Sequence, residues 1–262
     1  MTDSIDTAAG KRVIELQPLD VNNAEIEELA REVIELAEEL GLSVEFDVAT
    51  DCVRHLLLVN QVNQYMNLTR IQDIHEALVL HIVDSLVLAR ELPIDPENFL
   101  DIGTGAGFPG IPLALYTGAE GVLLDSVGKK IDAVNAFINE LGIEDVHGVH
   151  DRCESYAAKH KGEFDLVVAR AVGQMNLILE YGTPFLEDDG YLLVAKANPS
   201  DDEVRLAKKT DKICGLELVG TDAFELPREL GHRTVFLYQK VMPSKVKLPR
   251  AVGLAKKQPL AS

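Results

Sequence analysis

The chain has 262 residues, 47% of them hydrophobic, which is enough for one large domain with a substantial core. It contains no run of eighteen apolar residues, so we expect no transmembrane helix, and residues 1–12 lack the apolar stretch of a secretory signal. Three scattered cysteines without a C-x-x-C pair predict neither a disulfide framework nor a metal site, and they fit a reducing cytoplasm.

The charge of the chain is unevenly distributed. A formal net charge of −18 argues against nucleic-acid binding, because phosphate contacts need Lys and Arg. However, residues 1–50 contain 13 acids and 3 bases, whereas residues 240–262 contain six bases and no acid. This distribution weakens the objection, and if the basic C-terminal tail contacts phosphates, we expect it to do so at a place separate from any cofactor site. Its bases are Lys240, Lys245, Lys247, Arg250, Lys256 and Lys257.

The N-terminal part of the chain is predicted to be helical. Apolar residues recur at helical spacing over residues 22–40, 48–65 and 74–92, with Gly41 and Pro93 as stop signals. Residues 1–20 are expected to form a flexible polar tail. The predicted organisation is thus a tail (1–20), a helical extension (21–94), a Rossmann-like domain (95–240) and the basic C-terminal tail (241–262).

From residue 98 the pattern changes to alternating strands and helices. Strands are predicted over 98–102, 121–124, 145–149, 164–169 and 190–195, with two late strands over 216–219 and 234–239. Helices are predicted over 111–116, 129–141 and 202–213. Repeated strand–helix units predict an α/β fold with a mostly parallel, twisted sheet that is covered by helices on both faces.

The strongest local motif is the glycine-rich turn after the first strand, within FLDIGTGAGFPGIPLAL at residues 99–115. Gly103, Gly105 and Gly107 suit a turn that takes positive φ or that must approach a ligand closely. The second strand ends in Asp125, where an acid can accept both hydroxyls of an adenosine ribose. These residues predict an adenosine-containing cofactor. They leave NAD open, because its ribose is the same.

Two features favour S-adenosylmethionine over a dinucleotide. Phe108-Pro109-Gly110 replaces the usual G-x-x-G continuation, so the sequence lacks the pyrophosphate cradle of a dinucleotide site. The pair of late strands after a parallel run is also the layout of methyltransferases, which is an analogy at the level of the fold.

Further motifs in chain order give the chain its resemblance to a known family. Over about residues 50–262 it resembles the RsmG (GidB) family of bacterial rRNA methyltransferases. The matching strings are Asn67-Leu68-Thr69, His81 to Leu86, Asp101 to Leu113, Leu124-Asp125-Ser126 with Lys129-Lys130, Arg152-Cys153-Glu154, Arg170-Ala171-Val172, Lys196, and Pro249-Arg250 with Lys256-Lys257 and Pro259-Leu260.

The resemblance implies a class I, Rossmann-like methyltransferase that transfers a methyl group from S-adenosylmethionine to N7 of a guanine in 16S rRNA of the 30S subunit. It implies cofactor contacts from Gly103, Gly105, Phe108, Asp125, Ser126, Cys153, Glu154 and Arg170. It implies roles in RNA binding or activity for Asn67, His81, Arg152, Arg170 and Lys196. Two residues depart from the family pattern, since Cys153 stands where Ala is usual and Ala197 stands where Gly is usual.

The residues themselves leave structural roles open for several of these positions. Arg170 would either contact the ligands or cap its strand at the surface, and Arg152 would either bind phosphate or pair with Glu154. His81 would either serve the reaction or be a hydrogen-bonded structural histidine. Asn67 would either contact RNA or cap a turn.

The expected chemistry needs little from the protein besides positioning. Guanine N7 carries a lone pair at neutral pH, so the methyl group can be transferred by direct in-line attack. Consistently, no N-P-P-Y string follows the fourth strand and no Pro-Cys dipeptide offers a covalent nucleophile. A small-molecule methyltransferase, with the N-terminal helices as a lid, and a non-catalytic nucleotide-binding module remain as alternatives. We expect a monomer without a metal ion.

Overall fold

Seven strands form one sheet in the order β3-β2-β1-β4-β5-β7-β6 in the computed structural model, which describes residues 14–170 and 173–261. The first five strands pair in parallel, and β7 runs antiparallel to both β5 and β6. This confirms the predicted α/β fold. The strands are β1 (Asn98–Ile102), β2 (Glu120–Asp125), β3 (Val146–His150), β4 (Phe164–Arg170), β5 (Leu186–Lys196), β6 (Leu216–Glu225) and β7 (His232–Lys240).

Ten α-helical segments surround the sheet in the described part of the chain. They are α1 (Asn23–Glu39), α2 (Phe46–Asn63), α3 (Ile74–Ala77), α4 (Asp84–Leu86), α5 (Gly110–Thr117), α6 (Gly128–Leu141), α7 (Cys153–Ala157), α8 (Met175–Gly182), α9 (Asp201–Cys214) and α10 (Leu254–Lys257). A π-helical segment, Leu78–Val83, joins α3 to α4, and 3-10 turns cover Val87–Glu91, Thr183–Phe185 and Pro227–Glu229. None of these helices is long and apolar enough to cross a bilayer.

The sheet divides the core into two apolar clusters, one on each face. Leu123 and Leu124 are neighbours on β2 but belong to different clusters, because successive side chains of a strand point to opposite faces. The helical extension packs with α5 and α6 in the first cluster. Helices α7, α8 and α9 contribute to the second cluster. The N-terminal helices are thus part of the main core.

Both chain ends lie against this core where the structure describes them. Residues 1–13 of the predicted tail lie outside the described residues, but Ile14 and Leu16 are partly buried against the first cluster. Gln17 and Gln61 of α2 exchange two hydrogen bonds of 2.9 Å. Residues 14–17 are therefore packed, and the prediction of a flexible tail is wrong for them.

The C-terminal segment, residues 241–261, packs on the second face of the sheet. The Lys245 amide donates to the Ile213 carbonyl at 2.8 Å, and Leu248 joins the second cluster. Ala255 and Ala261 are also buried. The segment is therefore docked along much of its length.

Candidate active site

The glycine-rich turn after β1 takes the backbone conformation that its sequence predicts. Gly103, Gly105 and Gly107 all have positive φ, at 76°, 62° and 94°. A Cβ atom on Gly107 would lie 2.7 Å from Ile111 Cδ1 and 3.1 Å from His55 Nε2. A side chain at this position would therefore be both strained and obstructed.

Asp101, at the end of β1, ties the turn to the sheet from inside the core. Its Oδ2 accepts a hydrogen bond of 2.9 Å from the amide of Gly110, the first residue of α5. The side chain is fully buried, and its Oδ1 has no hydrogen-bond partner among the residues that the structure describes. Burial raises the pKa of Asp101 to about 7. A substantial fraction of this carboxyl group is therefore protonated at neutral pH.

Asp125 links the turn after β1 to the turn after β2. Its Oδ2 accepts from the Gly105 amide at 3.1 Å, and its Oδ1 accepts from the Val127 amide at 2.9 Å. Each oxygen of a carboxylate can accept a second hydrogen bond. Asp125 can therefore hold the two turns together and still accept hydrogen bonds from a ligand.

A cavity of about 310 Å³ opens beside Asp125, at the carboxyl ends of β1 and β2. Ligands of open α/β sheets bind at this edge. Five of the expected cofactor residues and Arg152 line the cavity. The full lining is Ile102, Gly103, Leu124, Asp125, Ser126, Asp151, Arg152, Cys153, Glu154, Tyr181, Val252, Gly253 and Lys256.

The lining includes residues that the sequence analysis did not place there. Tyr181 comes from α8, and Val252, Gly253 and Lys256 come from the C-terminal segment. The expectation that the basic C-terminal segment lies apart from the cofactor site is therefore wrong. No local pattern identifies this contact, because it joins residues about a hundred positions apart.

Phe108 lies between two histidine rings and does not line this cavity. Its ring centroid is 4.7 Å from that of His81, with the rings stacked at 11°, and 4.4 Å from that of His55. The fully buried His55 is engaged with the turn, since its Nε2 is 2.9 Å from the Ala106 carbonyl. Phe108 therefore fixes the turn against the helical extension.

His81 belongs to the π-helical segment, a form that is often found at functional sites. Its Nε2 lies 2.8 Å from the hydroxyl of Thr69, in the loop after α2. Burial and, secondarily, the charge of Arg170 lower the pKa of His81 to about 4. The ring is therefore neutral at pH 7 and hydrogen-bonded, as the structural alternative for His81 predicts.

Arg170, at the end of β4, forms a buried ion pair instead of capping the strand at the surface. Its Nη1 lies 2.8 Å from Asp84 Oδ2 and also donates to the Leu80 carbonyl at 3.2 Å. The second oxygen of Asp84 pairs with Arg233 Nε, also at 2.8 Å. The carboxylate of Asp84 is thus shared by two guanidinium groups.

Arg233 is a residue that the sequence analysis missed. It lies near the start of β7, and β7 runs antiparallel to β5. The first residues of an antiparallel strand lie at the same sheet edge as the carboxyl ends of the parallel strands. That topological signal could have identified Arg233 as a site residue.

Lys196, at the end of β5, connects the loop after β4 to α9. Its Nζ donates to the Gly173 carbonyl at 2.6 Å and pairs with Glu203 at 2.8 Å. The same Glu203 oxygen accepts from the amide of Met175, the first residue of α8. Lys196 and Glu203 thus join Gly173 and the start of α8 to α9. The motif residues Ala171 and Val172 lie outside the described residues.

The hydrogen bonds do not support two of the structural alternatives left open by the sequence. The turn near Asn67 is capped by Asn63, whose Oδ1 accepts from the Leu68 and Thr69 amides, whereas Asn67 itself is exposed. Glu154 accepts from the Gly253 amide at 2.8 Å. The structure assigns no ion pair to Arg152 and Glu154 within the described ranges, and Arg152 is exposed at the cavity.

The parallel sheet with its antiparallel last strands, the glycine turn after β1 and the acid at the end of β2 define a class I methyltransferase that uses S-adenosylmethionine. The fold is shared with the crystal structure of a SAM-dependent methyltransferase from Aquifex aeolicus. The TM-score is 0.50 and the identity 17%, over 63% of this chain and 93% of the other.

The sequence comparisons define the family. Residues 49–230 match the model of the GidB family, described as rRNA small subunit methyltransferase G. The ribosomal RNA small subunit methyltransferase G of Desulfitobacterium hafniense (strain Y51) is 38% identical, over 76% of this chain and 83% of that protein. The protein of that name from Geobacillus thermodenitrificans (strain NG80-2) is 34% identical, over 86% and 96%. The chain therefore belongs to the rRNA small subunit methyltransferase G family.

Proposed function

We propose that the protein transfers the methyl group of S-adenosylmethionine to N7 of a specific guanine in 16S rRNA of the small ribosomal subunit, acting as a monomer in the cytoplasm. The observation that carries this proposal is the family match over residues 49–230, which includes the cavity-lining residues of β1, β2 and α7. Relatives of 38% and 34% identity are named for the methylation of small-subunit rRNA.

The cavity beside Asp125 fits this cofactor. Asp125 would accept hydrogen bonds from the ribose hydroxyls. Each of its carboxylate oxygens accepts one hydrogen bond from a backbone amide and can accept a second. The apolar side chains of Ile102 and Leu124 line the same cavity and suit the adenine ring. Cys153 stands where the family usually has Ala. Because Cys is also small and apolar, this difference leaves room for the adenine ring.

The bound cofactor supplies an electrophilic methyl group on a sulfonium sulfur. The lone pair of guanine N7 forms the new N–C bond, while the electron pair of the S–C bond returns to sulfur. The positive charge passes to the base, and no proton is transferred. The role of the protein is therefore to orient the base and to exclude competing positions.

The environment of His81 supports a reaction without a general base. Its pKa is lowered to about 4, and its Nε2 is engaged by the Thr69 hydroxyl. We assign it to holding Phe108 and the glycine turn. Arg170 and Arg233 share the carboxylate of Asp84 at this edge of the sheet, and their guanidinium groups suit a phosphate of the RNA or the O6 oxygen of the guanine.

Three cations near the cavity, of which Arg152 and Lys129 are exposed and Lys130 is half-buried, support a polyanionic substrate. Arg152 lies at the rim, and Lys129 and Lys130 lie in the first turn of α6. Cations are unfavourable at a helix N-terminus, where the dipole is positive, so their presence fits a use in binding phosphates. We assign Asn67, which is also exposed, to the same RNA surface.

The alternative of a small-molecule methyltransferase depends on the N-terminal helices acting as a lid. Their side chains instead form part of the main core, where Val33, Val53 and Val59 are fully buried. Such helices cannot open without exposing that core. A non-catalytic nucleotide-binding module would bind the cofactor without transferring its methyl group.

One experiment separates the proposed function from both alternatives. The protein is incubated with tritium-labelled S-adenosylmethionine and either unmodified 30S subunits or 16S rRNA, and the RNA is digested to nucleosides. We expect label in 7-methylguanosine. Label in another nucleoside would contradict the proposed position. A lack of label in both RNA substrates, despite binding of the cofactor, would favour one of the two alternatives.

A further inference from the structure

Part of the C-terminal segment forms one wall of the cofactor cavity. We name residues 249–256 the C-terminal wall. Val252, Gly253 and Lys256 line the cavity together with residues contributed by β1, β2 and α7. Val252 is 57% exposed although it is a large apolar residue. It is therefore an apolar surface directed at the cavity and available to a ligand.

The first anchor of the wall is an ion pair between Arg250 and Glu180 of α8. Arg250 Nε and Nη2 donate to the two carboxylate oxygens of Glu180 at 2.7 and 2.6 Å. The Glu180 side chain is only 3% exposed and that of Arg250 17%. This bidentate geometry fixes both the position and the orientation of the guanidinium group. Arg250 Nη2 also donates to the Gln258 carbonyl. Arg250 therefore connects the start of the wall to the residues that follow it.

The second anchor is a hydrogen bond from the wall to α7. The Gly253 amide donates to Glu154 Oε1 at 2.8 Å, across 99 positions of the sequence. Glu154 itself lines the cavity. Gly253 has a φ of 76°, a conformation that favours glycine and turns the chain into α10. The wall is thus fastened to α8 by Arg250 and to α7 by Gly253.

We propose that the C-terminal wall closes the cofactor cavity, and that Arg250 is a positioning residue for cofactor binding through its pair with Glu180. The identity of the ligand rests on the proposed function. Because ligand and wall contact each other, a bound cofactor stabilises the docked wall, and the docked wall strengthens cofactor binding by the same free energy.

Limited proteolysis of the full chain tests whether a bound cofactor stabilises the docked wall. Trypsin can cut after Arg250 only when this residue leaves its pair with Glu180. We expect saturating S-adenosylhomocysteine to slow this cleavage about tenfold or more, and NAD at the same concentration to leave it unchanged. Equal cleavage rates with and without S-adenosylhomocysteine would overturn the proposal.

A matched pair of surface variants tests the contact directly. Val252→Asp places a charge on the cavity side of the wall, whereas Val241→Asp makes the same change at a residue that is 39% exposed and does not line the cavity. Calorimetry should show an affinity for S-adenosylhomocysteine about tenfold weaker for Val252→Asp and unchanged for Val241→Asp. Equal affinities of the two variants would overturn the proposal.

A test of the positioning role of Arg250 needs variants that do not leave one buried charge without its partner. The double variant Glu180→Gln with Arg250→Gln removes both charges together, so neither remains unpaired. We expect the KM for S-adenosylmethionine to rise about tenfold while kcat at saturation stays the same. Arg250→Lys, which keeps the charge but loses the bidentate geometry, should fall between the double variant and the wild type.

A purely structural role of the pair would lower thermal stability and leave the KM unchanged, and that result would contradict the proposal. Failure of the proposal is distinguishable from failure of the proposed function. In the first case the wild-type protein still binds S-adenosylhomocysteine and methylates rRNA. In the second case it does not.

Discussion

Arg170 and Asp84 form an ion pair of 2.8 Å in which the side chains are only 10% and 4% exposed. The two residues are 86 positions apart, and the pair joins the end of β4 to the beginning of α4. Arg233 shares the same carboxylate from β7. The side chain of Asp84 therefore fixes the relative positions of the helical extension and two strands at the edge of the sheet that carries the site.

The first prediction concerns this shared carboxylate. Asp84→Asn leaves two buried guanidinium groups without a counter-ion, so we expect the free energy of unfolding to fall by about 3–5 kcal/mol. Urea denaturation measures this change. As a control, Glu27→Gln removes the exposed pair of Glu27 and Arg31, and it should cost at most about 0.5 kcal/mol. Equal stabilities of the two variants would refute the account of Asp84.

A second prediction concerns Asp125. Asp125→Ala removes the acceptor for the ribose hydroxyls and also releases the Gly105 and Val127 amides. We expect the binding free energy of S-adenosylhomocysteine to weaken by about 1–3 kcal/mol, as measured by calorimetry. Asp145→Ala, an exposed acid just before β3, is the matched control and should bind normally. An unchanged affinity of Asp125→Ala would rule out the assigned cofactor site.

The third prediction is a pH dependence of stability caused by Asp101. The pKa of Asp101 in the folded protein is about 7 because of burial, whereas that of an unfolded aspartate is about 3.9. Between these values the folded state binds more protons than the unfolded state, so the free energy of unfolding falls as the pH rises.

The variant Asp101→Asn removes this titration and retains an oxygen for the Gly110 amide. Denaturation at pH 5, 6, 7 and 8 should show that the wild type loses stability relative to the variant as pH increases, by at most about 1.4 kcal/mol per pH unit. Parallel pH profiles of the two proteins would mean that Asp101 does not titrate in this range.

The fourth prediction concerns the basic residues of the C-terminal segment. Lys245, Lys247 and Lys257 are exposed and do not line the cofactor cavity, whereas Arg250 is paired and Lys256 lines it. Changing the three lysines to Gln should reduce the salt dependence of 16S rRNA binding. Each lost phosphate contact removes about 0.7–0.9 from the slope of log affinity against log salt.

Affinity for S-adenosylhomocysteine should be unchanged in this triple variant. A slope equal to that of the wild type would mean that these lysines contact no RNA. The phosphates would then be bound by other cations, of which Arg152, Lys129 and Lys130 are the candidates nearest the cavity.

The sheet and the glycine turn could be predicted because both depend on local patterns. Strand–helix alternation predicted the parallel strands, and the three glycines predicted the positive-φ turn. Helix α8 was missed because a short apolar run does not distinguish a helix from a strand, and no glycine-rich motif precedes it as one precedes the equally short α5. Strand β5 begins at Leu186, four residues before the predicted start, because Asp189 with a φ of 67° interrupts its pattern.

Residues of the site could be predicted only where they belong to a recognisable sequence motif. Asp125 was assigned to the cofactor site from its position at the end of β2, and Glu154 from the family pattern, but the partners of Arg170 and Arg250 were not predicted. Asp84 and Glu180 lie 86 and 70 positions away from these arginines, and no periodicity relates them. A run of basic residues is also indistinguishable, in sequence, from a solvated tail. Only tertiary packing shows that Arg250 is half-buried and that Gly253 reaches α7.

The central claim is that this protein methylates N7 of a guanine in 16S rRNA. Methylation at N7 places a positive charge on the imidazole ring of the guanine, which makes the ring sensitive to reduction by borohydride. Aniline then cleaves the RNA at the reduced nucleotide. Unmodified 16S rRNA, treated with the protein and S-adenosylmethionine, should gain one new cleavage site, and Asp125→Ala should produce little or none. Methyl incorporation without any new cleavage site would contradict the claim.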